Sequence, residues 1–239
     1  MTTSVSSKKN SQTSRGVLRW GMQMTSALVI FGTILFLSAG KINWLAGWIY
    51  LALNGLSQFL SVLVLIPRQP EMLAERSQVR EGTKSWDRFF TPAIVVFGTL
   101  AVLITAGLDE RFGWSAPITA ALWGSGLALA FCSQLFVIWA MTSNPFFALT
   151  VRIQTDREHS VATSGPYNLV RHPGYLGSVV YNLSIPLILD SAWTLIPALI
   201  TIGLIVARTW MEDRTLCNEL SGYKEYASTV RYRLFPGVW

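Results

Sequence analysis

Charged residues are scarce in this chain: Asp, Glu, Lys and Arg make up 13% of its 239 residues, where a soluble domain carries about 25%. That shortage excludes an ordinary water-facing surface. Histidine and cysteine are rarer still, with His159, His172, Cys132 and Cys217 as the full set. With no CxxC pair and no cluster of either residue type, a disulfide framework and a metal site are both excluded. A dinucleotide fingerprint is missing as well. The Gly-x-Gly at Gly124 and Gly126 follows no strand pattern and lacks a third glycine, so it reads as helix-packing glycine.

What the chain has in quantity is apolar sequence, 51% of all residues, gathered into blocks. Four long runs cover 21–40, 44–66, 91–108 and 118–141. The first is about 20 residues, longer than the 7–15 of a signal-peptide core, so it reads as a membrane helix. Two shorter runs follow, 175–189 and 192–207, separated by Asp190 and Ser191. Each covers about 22–24 Å as helix, short of the roughly 30 Å hydrocarbon core. The expected fold is all-α: a polytopic membrane helical bundle of about 5–6 membrane helices, the last two forming a short helical hairpin. The expected organisation is a flexible N-terminal tail over 1–19, a four-helix membrane region over 20–141, and a ligand-binding region with the hairpin over 142–239. Trp44, Trp48, Trp114 and Trp193 sit at run ends and read as interfacial belt residues. Asn54, Gln58 and Gln134 inside runs read as interhelical hydrogen-bonding groups.

The formal charge of +6 would suggest nucleic acid in a soluble protein. Here 17 of the 19 Lys and Arg, all except Lys41 and Arg111, fall in the tail, in 67–90, in 142–173 or after residue 207. That asymmetry implies an N-in, C-in topology, with the basic segments on the cytoplasmic side against anionic headgroups. No nucleic-acid partner is expected. The protein is expected to be a multi-pass integral membrane protein with its site facing the cytoplasm. Within 67–90, Arg76 and Arg80 fit one face of a short surface helix, where such charges are solvated.

The densest chemistry lies in 165–177, which reads Gly-Pro-Tyr-Asn-Leu-Val-Arg-His-Pro-Gly-Tyr-Leu-Gly. Pro166 and Pro173 fix φ and bias the preceding residues away from helix, so this is a shaped loop ending at a helix start. A second group follows: Arg208, Glu212 and Thr215 at i, i+4 and i+7 share a helix face, with Tyr223, Tyr226 and Tyr232 beyond. Ionisable residues at a membrane boundary are costly and mark function, although Arg208 and Glu212 also have the spacing of a simple ion pair. Together the two groups suit a zwitterionic, aromatic cytosolic ligand. An adenine stacks on tyrosine, an ammonium pairs with Glu212 or Asp213, and a carboxylate with an arginine. His159, among charged neighbours, reads as solvent-exposed.

Gly165-Pro166-Tyr167 followed by Val170-Arg171-His172-Pro173-Gly174-Tyr175-Leu176-Gly177 resembles the signature of the isoprenylcysteine carboxyl methyltransferase family. The family's downstream Glu-Glu pair, Gly-x-x-Tyr segment and Arg-x-x-x-x-x-Pro ending are echoed at Glu212-Asp213, 222–226 and 231–236. The resemblance covers roughly 151–237. It implies an integral-membrane methyltransferase that uses S-adenosylmethionine without a Rossmann-type domain. Carried over by motif, Tyr167, His172, Pro173, Tyr175, Leu176 and Gly177 cradle the cofactor, with Asp213 and Tyr226 completing the set. Glu212 holds its amino group, while Arg171 and Arg208 face the cofactor or a substrate carboxylate, so that Arg171, Arg208 and Glu212 are the candidate catalytic residues. The family's second Glu is the shorter Asp213 here. The implied acceptor is a lipophilic or prenylated molecule arriving from the bilayer, methylated on a carboxylate.

Three rival readings stand beside this one. A phospholipid amine acceptor would need a general base, with His172 or Glu212 as candidates. A sterol-reductase family shares an Arg-His-Pro-x-Tyr-x-Gly stretch but carries glutamate after the final glycine, where this chain has Ser178. A transporter or scaffold would carry ligand without turnover, and no internal repeat between the halves supports one.

Overall fold

The computed structural model describes residues 2–239, with side chains from residue 11 onward. Its regular structure is all helical, with no strand among the described residues. Helix α1 spans Thr2–Ala39 and α2 spans Leu45–Arg68. The short α3, Pro70–Arg76, follows at once. The third crossing is composite: α4 (Asp87–Pro92), a π-helical turn at Ala93–Gly98, and α5 (Thr99–Phe112). Then come α6 (Ala120–Thr142), α7 (Pro173–Ile188), α8 (Leu195–Glu219) and α9 (Tyr223–Thr229).

Five segments are long and apolar enough to cross a bilayer: Ser11–Ala39, Leu45–Arg68, Asp87–Phe112, Ala120–Thr142 and Leu195–Glu219. Large apolar side chains face outward along them, including Phe97 at 67% and Ile200 at 63% exposure. In water such a surface would aggregate; in lipid it is the solvent-facing side. The chain is a multi-pass helical membrane bundle.

Two sequence expectations change. Residues 11–19 are helix, continuous with the first span, where the sequence reads as tail. Gly16 allows the close approach that holds this stretch, because a Cβ there would lie 2.5 Å from the Ala74 Cβ of α3. Met1 lies outside the described residues. The final hairpin is also asymmetric. The 16 residues of α7 cover about 24 Å, but the 25 of α8 cover about 37 Å. The helix does not stop where its apolar run stops at residue 207; it carries on through Glu219 and lifts Arg208, Glu212 and Asp213 toward the polar end.

The most extensive interhelical seam joins α6 to α7. A Cβ on Gly126 would lie 2.5 Å from the Leu187 Cβ, and one on Gly177 would lie 2.5 Å from Val137 and 3.1 Å from the Ser133 carbonyl. Small residues let backbones approach where lipid gives no hydrophobic drive to association. Polar groups inside the spans are used as the sequence suggests for two of three. Gln58 donates to the Met24 carbonyl of α1 at 3.2 Å, and the Tyr181 hydroxyl of α7 donates to Asn54 of α2 at 2.8 Å. Gln134 Oε1 is buried with no donor among the described residues. Trp44 is buried against Phe36 with ring centroids 6.3 Å apart, while Trp48, Trp114 and Trp193 are about half exposed as belt residues should be.

The ends of the bundle differ. At one end, buried Asp109 ties two loops together, accepting from the backbone N–H and hydroxyl of Ser115 (2.8 and 2.6 Å) and from the Ser191 hydroxyl at 2.5 Å. At the other, α3, the segment from 143 to 172, α9 and the C-terminal strand of chain converge. That second end holds the chemistry.

Candidate functional site

The segment between α6 and α7 has little regular structure, only 3₁₀ turns at Thr155–Arg157 and Gly165–Asn168, so side chains must satisfy its backbone. Gln154, 1% exposed, donates to the Phe146 carbonyl at 2.7 Å and accepts from Arg157 at 2.7 Å. Arg152 is held between Glu75 of α3 (2.8 Å) and Asp156 (2.7 Å). Asn144 donates to the Tyr167 hydroxyl at 3.1 Å. Gly165 sits at φ +60°, where a Cβ would also strike Ser143, so the turn that opens the motif accepts only glycine.

The motif ends as its prolines require. His172 is the N-cap of α7 with φ −127° and ψ 64°, and Pro173 occupies the first helical turn, where a missing N–H costs nothing. The C-terminal chain runs alongside: the Arg171 and His172 amides donate to the Tyr232 and Arg233 carbonyls at 2.9 and 3.0 Å. Tyr226 of α9 donates to the Tyr167 carbonyl at 2.7 Å. The two sequence regions are thereby stitched into one wall.

A cavity of about 240 Å³ opens at this end. Of the expected site residues, Tyr167, Arg171, His172, Tyr175, Arg208, Glu212 and Tyr226 line it. Pro173, Leu176, Gly177 and Asp213 do not. Gly177 faces α6 and serves packing, and Pro173 shapes the start of α7. Asp213, 2% exposed, is a buried hub behind the wall. Its Oδ1 lies 3.2 Å from both Arg171 Nη1 and His172 Nε2 and accepts from the Tyr223 hydroxyl at 3.0 Å, while Oδ2 accepts from Arg233 at 2.8 Å. The shorter Asp thus holds the motif to α9 and the C-terminus.

Arg208 and Glu212 do not pair with each other. Arg208 Nε donates to Asp87 Oδ1 at 2.7 Å, and its Nη2 donates to Asp87 Oδ2 and the Leu149 carbonyl at 3.0 and 2.7 Å. Glu212 Oε2 accepts from the Tyr175 hydroxyl at 2.5 Å, and the Arg208 guanidinium stands 5.3 Å from the Tyr175 ring centroid. Asp87 was not legible as a site residue, since it lies in a charged loop far upstream.

Three further cavity residues escaped the sequence reading: Arg76, Asn144 and His159. His159 is half-buried, its ring centroid 4.5 Å from that of Phe146. Burial, and then Arg152 and Arg157, lower its pKa to about 4. Its Nδ1 accepts the Gln154 N–H at 3.3 Å, consistent with a neutral ring. Burial raises the pKa of the Tyr167, Tyr223 and Tyr226 hydroxyls, so all three remain protonated donors at neutral pH.

The donor set fits S-adenosylmethionine. Glu212 offers a carboxylate for an ammonium, tyrosine faces offer stacking for an adenine, and guanidiniums offer partners for a carboxylate. One polar atom asks for a ligand: Arg171 Nε is buried and has no acceptor among the described residues, a state that costs about 1–3 kcal/mol if left unmade. No group of three or more His, Cys, Asp or Glu among the described residues is arranged to hold a metal ion.

Residues 126–218 match the isoprenylcysteine carboxyl methyltransferase (ICMT) family. The matched segment contains the 165–177 motif and the Glu212-Asp213 pair, and ends before 222–226 and 231–236. The lamin-B receptor of Drosophila melanogaster is 30% identical over 133 residues, 53% of this chain and 18% of that protein. The chain therefore spans less than a fifth of the length of the curated relative it matches.

Proposed function

We propose that this chain, whose residues 126–218 form an ICMT-family segment, is an integral-membrane S-adenosylmethionine-dependent methyltransferase. Its acceptor is a lipophilic molecule, a prenylcysteine-like or other isoprenoid or lipid acid, methylated on its carboxylate. The observation that carries this reading is the cavity in which Arg171 and Tyr175 of the motif meet Arg208 and Glu212 of α8.

When bound, S-adenosylmethionine would supply a methyl group, already activated by its sulfonium charge, for transfer to a carboxylate oxygen of the acceptor. The protein's task is alignment and exclusion of water. Glu212, fixed by the Tyr175 hydroxyl, holds the cofactor's ammonium. Arg171, fixed by Asp213 through Nη1, keeps Nε for a carboxylate. Tyr167, Tyr223 and Tyr226 form the aromatic wall. A carboxylate acceptor is ionised at neutral pH and needs no base, which suits a site whose His172 is already engaged by Asp213 and Tyr223. An amine acceptor would need His172 or Glu212 as a base, and Glu212 is engaged by the Tyr175 hydroxyl.

The basic end of the bundle faces the cytoplasm in this reading, by the positive-inside asymmetry. The cofactor enters from that side, and the acceptor enters from the bilayer. Calorimetry on detergent-purified protein should show binding of S-adenosylhomocysteine, and labelled methyl should appear in a lipid extract as a base-labile ester. Binding of NADPH with no binding of S-adenosylhomocysteine would replace this reading with a reductase. Base-stable label would replace the carboxylate with an amine.

A further inference from the structure

Arg76 lies outside the ICMT-family segment, on α3, and its sequence context reads as a solvated charge. The structure instead puts it on the cavity wall. The other arginines lining that cavity each have a carboxylate: Arg152 has Glu75 and Asp156, Arg171 has Asp213, and Arg208 has Asp87. Arg76 has none among the described residues. Its Nη1 donates to the Ala148 carbonyl at 3.1 Å, and its guanidinium carbon stands 5.1 Å from the Phe147 ring centroid.

Burial, and then the like charge of Arg208, lower the Arg76 pKa to about 10, which still leaves it cationic at neutral pH. A half-buried cation without a counterion is unfavourable, and the open space beside this one is the cavity. The cofactor would bring one carboxylate, and Arg171 with its unpartnered Nε is placed in the motif to take it. Arg76 shares the lining with Ile94 and Val95 of the π-helical turn and with Val137, apolar side chains that suit a hydrocarbon tail. The π-helical turn itself is a feature that recurs beside functional sites.

We propose that Arg76 binds the anionic head of the acceptor and makes the site selective for the free acid over its neutral derivatives. The inference rests on the methyltransferase reading above and assigns its specificity to a residue upstream of the family segment. It also carries a consequence for turnover. Forming the ester removes the negative charge, so the product loses its charge-assisted contact with Arg76 and is held more weakly than the substrate it came from.

The test uses the full chain in detergent as wild type, Arg76→Gln and Arg76→Lys. The probes are N-acetyl-S-dodecylcysteine, its primary amide, and S-adenosylhomocysteine, each measured by calorimetry. Wild type should bind the acid at least about 10-fold more tightly than the amide. Arg76→Gln should weaken binding of the acid by about 10–100-fold and abolish the preference, and Arg76→Lys should keep it. Binding of S-adenosylhomocysteine should stay within about twofold in all three, which also reports correct folding. A wild-type protein with no preference overturns the proposal, as does a preference that survives in Arg76→Gln. Weaker binding of S-adenosylhomocysteine in a folded Arg76→Gln would assign Arg76 to the cofactor instead. If Arg76→Gln does not fold, loss of the preference in Arg76→Lys overturns the proposal and its retention supports it. Should wild type bind the acid through Arg76 but not S-adenosylhomocysteine, the anion site stands and the methyltransferase reading falls.

Discussion

Arg208 and Asp87 are 121 residues apart in sequence, yet their side chains form a two-pronged ion pair at 2.7 and 3.0 Å in which Asp87 is fully buried. Asp87 also accepts the Val151 N–H at 2.7 Å and the Thr91 hydroxyl at 3.1 Å. One carboxylate thus joins the first turn of α4, the loop before the motif, and α8. Removing one partner of a buried pair strands the other, at about 3–5 kcal/mol. Asp87→Ala should therefore lower unfolding stability in detergent by about that much. Asp87→Leu combined with Arg208→Met should recover only part of the loss, because the Val151 N–H stays unpaired. Thermal unfolding of the single and double variants measures both, and additive losses would show that the pair is not coupled.

Glu212 and Asp213 are adjacent acids with different surroundings, and that difference predicts different phenotypes. Glu212 touches one hydroxyl and lines the cavity. Glu212→Gln should weaken binding of S-adenosylhomocysteine by about 10–100-fold, the worth of one charge-assisted hydrogen bond, with little change in melting temperature. Asp213 is surrounded by Arg171, His172, Tyr223 and Arg233. Asp213→Asn should instead cost about 2–4 kcal/mol of stability by leaving buried cations short of a counterion. Calorimetry beside melting curves separates the two, and the reverse pattern would exchange their roles.

His159 gives stability a pH dependence of known sign. Its folded-state pKa is lowered to about 4, while an unfolded histidine titrates near 6.5. Between those values the unfolded chain binds more protons than the folded one, so stability falls as pH drops through this window and levels off below it. His159→Phe keeps an aromatic ring beside Phe146 and removes the titration. Its melting temperature should fall less steeply than that of wild type between about pH 6.5 and 4.5; parallel curves would place the pH sensitivity elsewhere.

Much of this was legible in residue patterns, for physical reasons. The apolar runs specify spans because lipid admits little else, and 165–177 reads as a shaped loop because Pro166, Pro173 and Gly165 constrain backbone directly. Glu212 was legible because a helix face is a short-range property. Asp87, Arg76 and His159 were not. Each sits in a polar stretch that looks solvated, and each acquires its meaning from a partner more than 50 residues away or from a cavity that exists only once α3, the 143–172 segment and α8 meet. The split between Glu212 and Asp213 was hidden too, since adjacent residues on one helix point about 100° apart and only packing decides which of them meets the cavity.

Gly177 tests whether the end of the motif serves ligand or fold. The sequence resemblance implies a cofactor contact, but the structure places it at the α6–α7 seam, where a Cβ would lie 2.5 Å from Val137 and 3.1 Å from the Ser133 carbonyl. The backbone atom cannot step aside cheaply, so Gly177→Ala should force α6 and α7 apart. The expected cost is about 1–3 kcal/mol, typical of overpacking, read as a lower melting temperature. Any loss of S-adenosylhomocysteine affinity should follow indirectly, because α7 also carries Tyr175, and should be partly relieved by Val137→Ala, which removes the nearer clash. A variant with an unchanged melting temperature and a large loss of cofactor affinity would return Gly177 to the binding site.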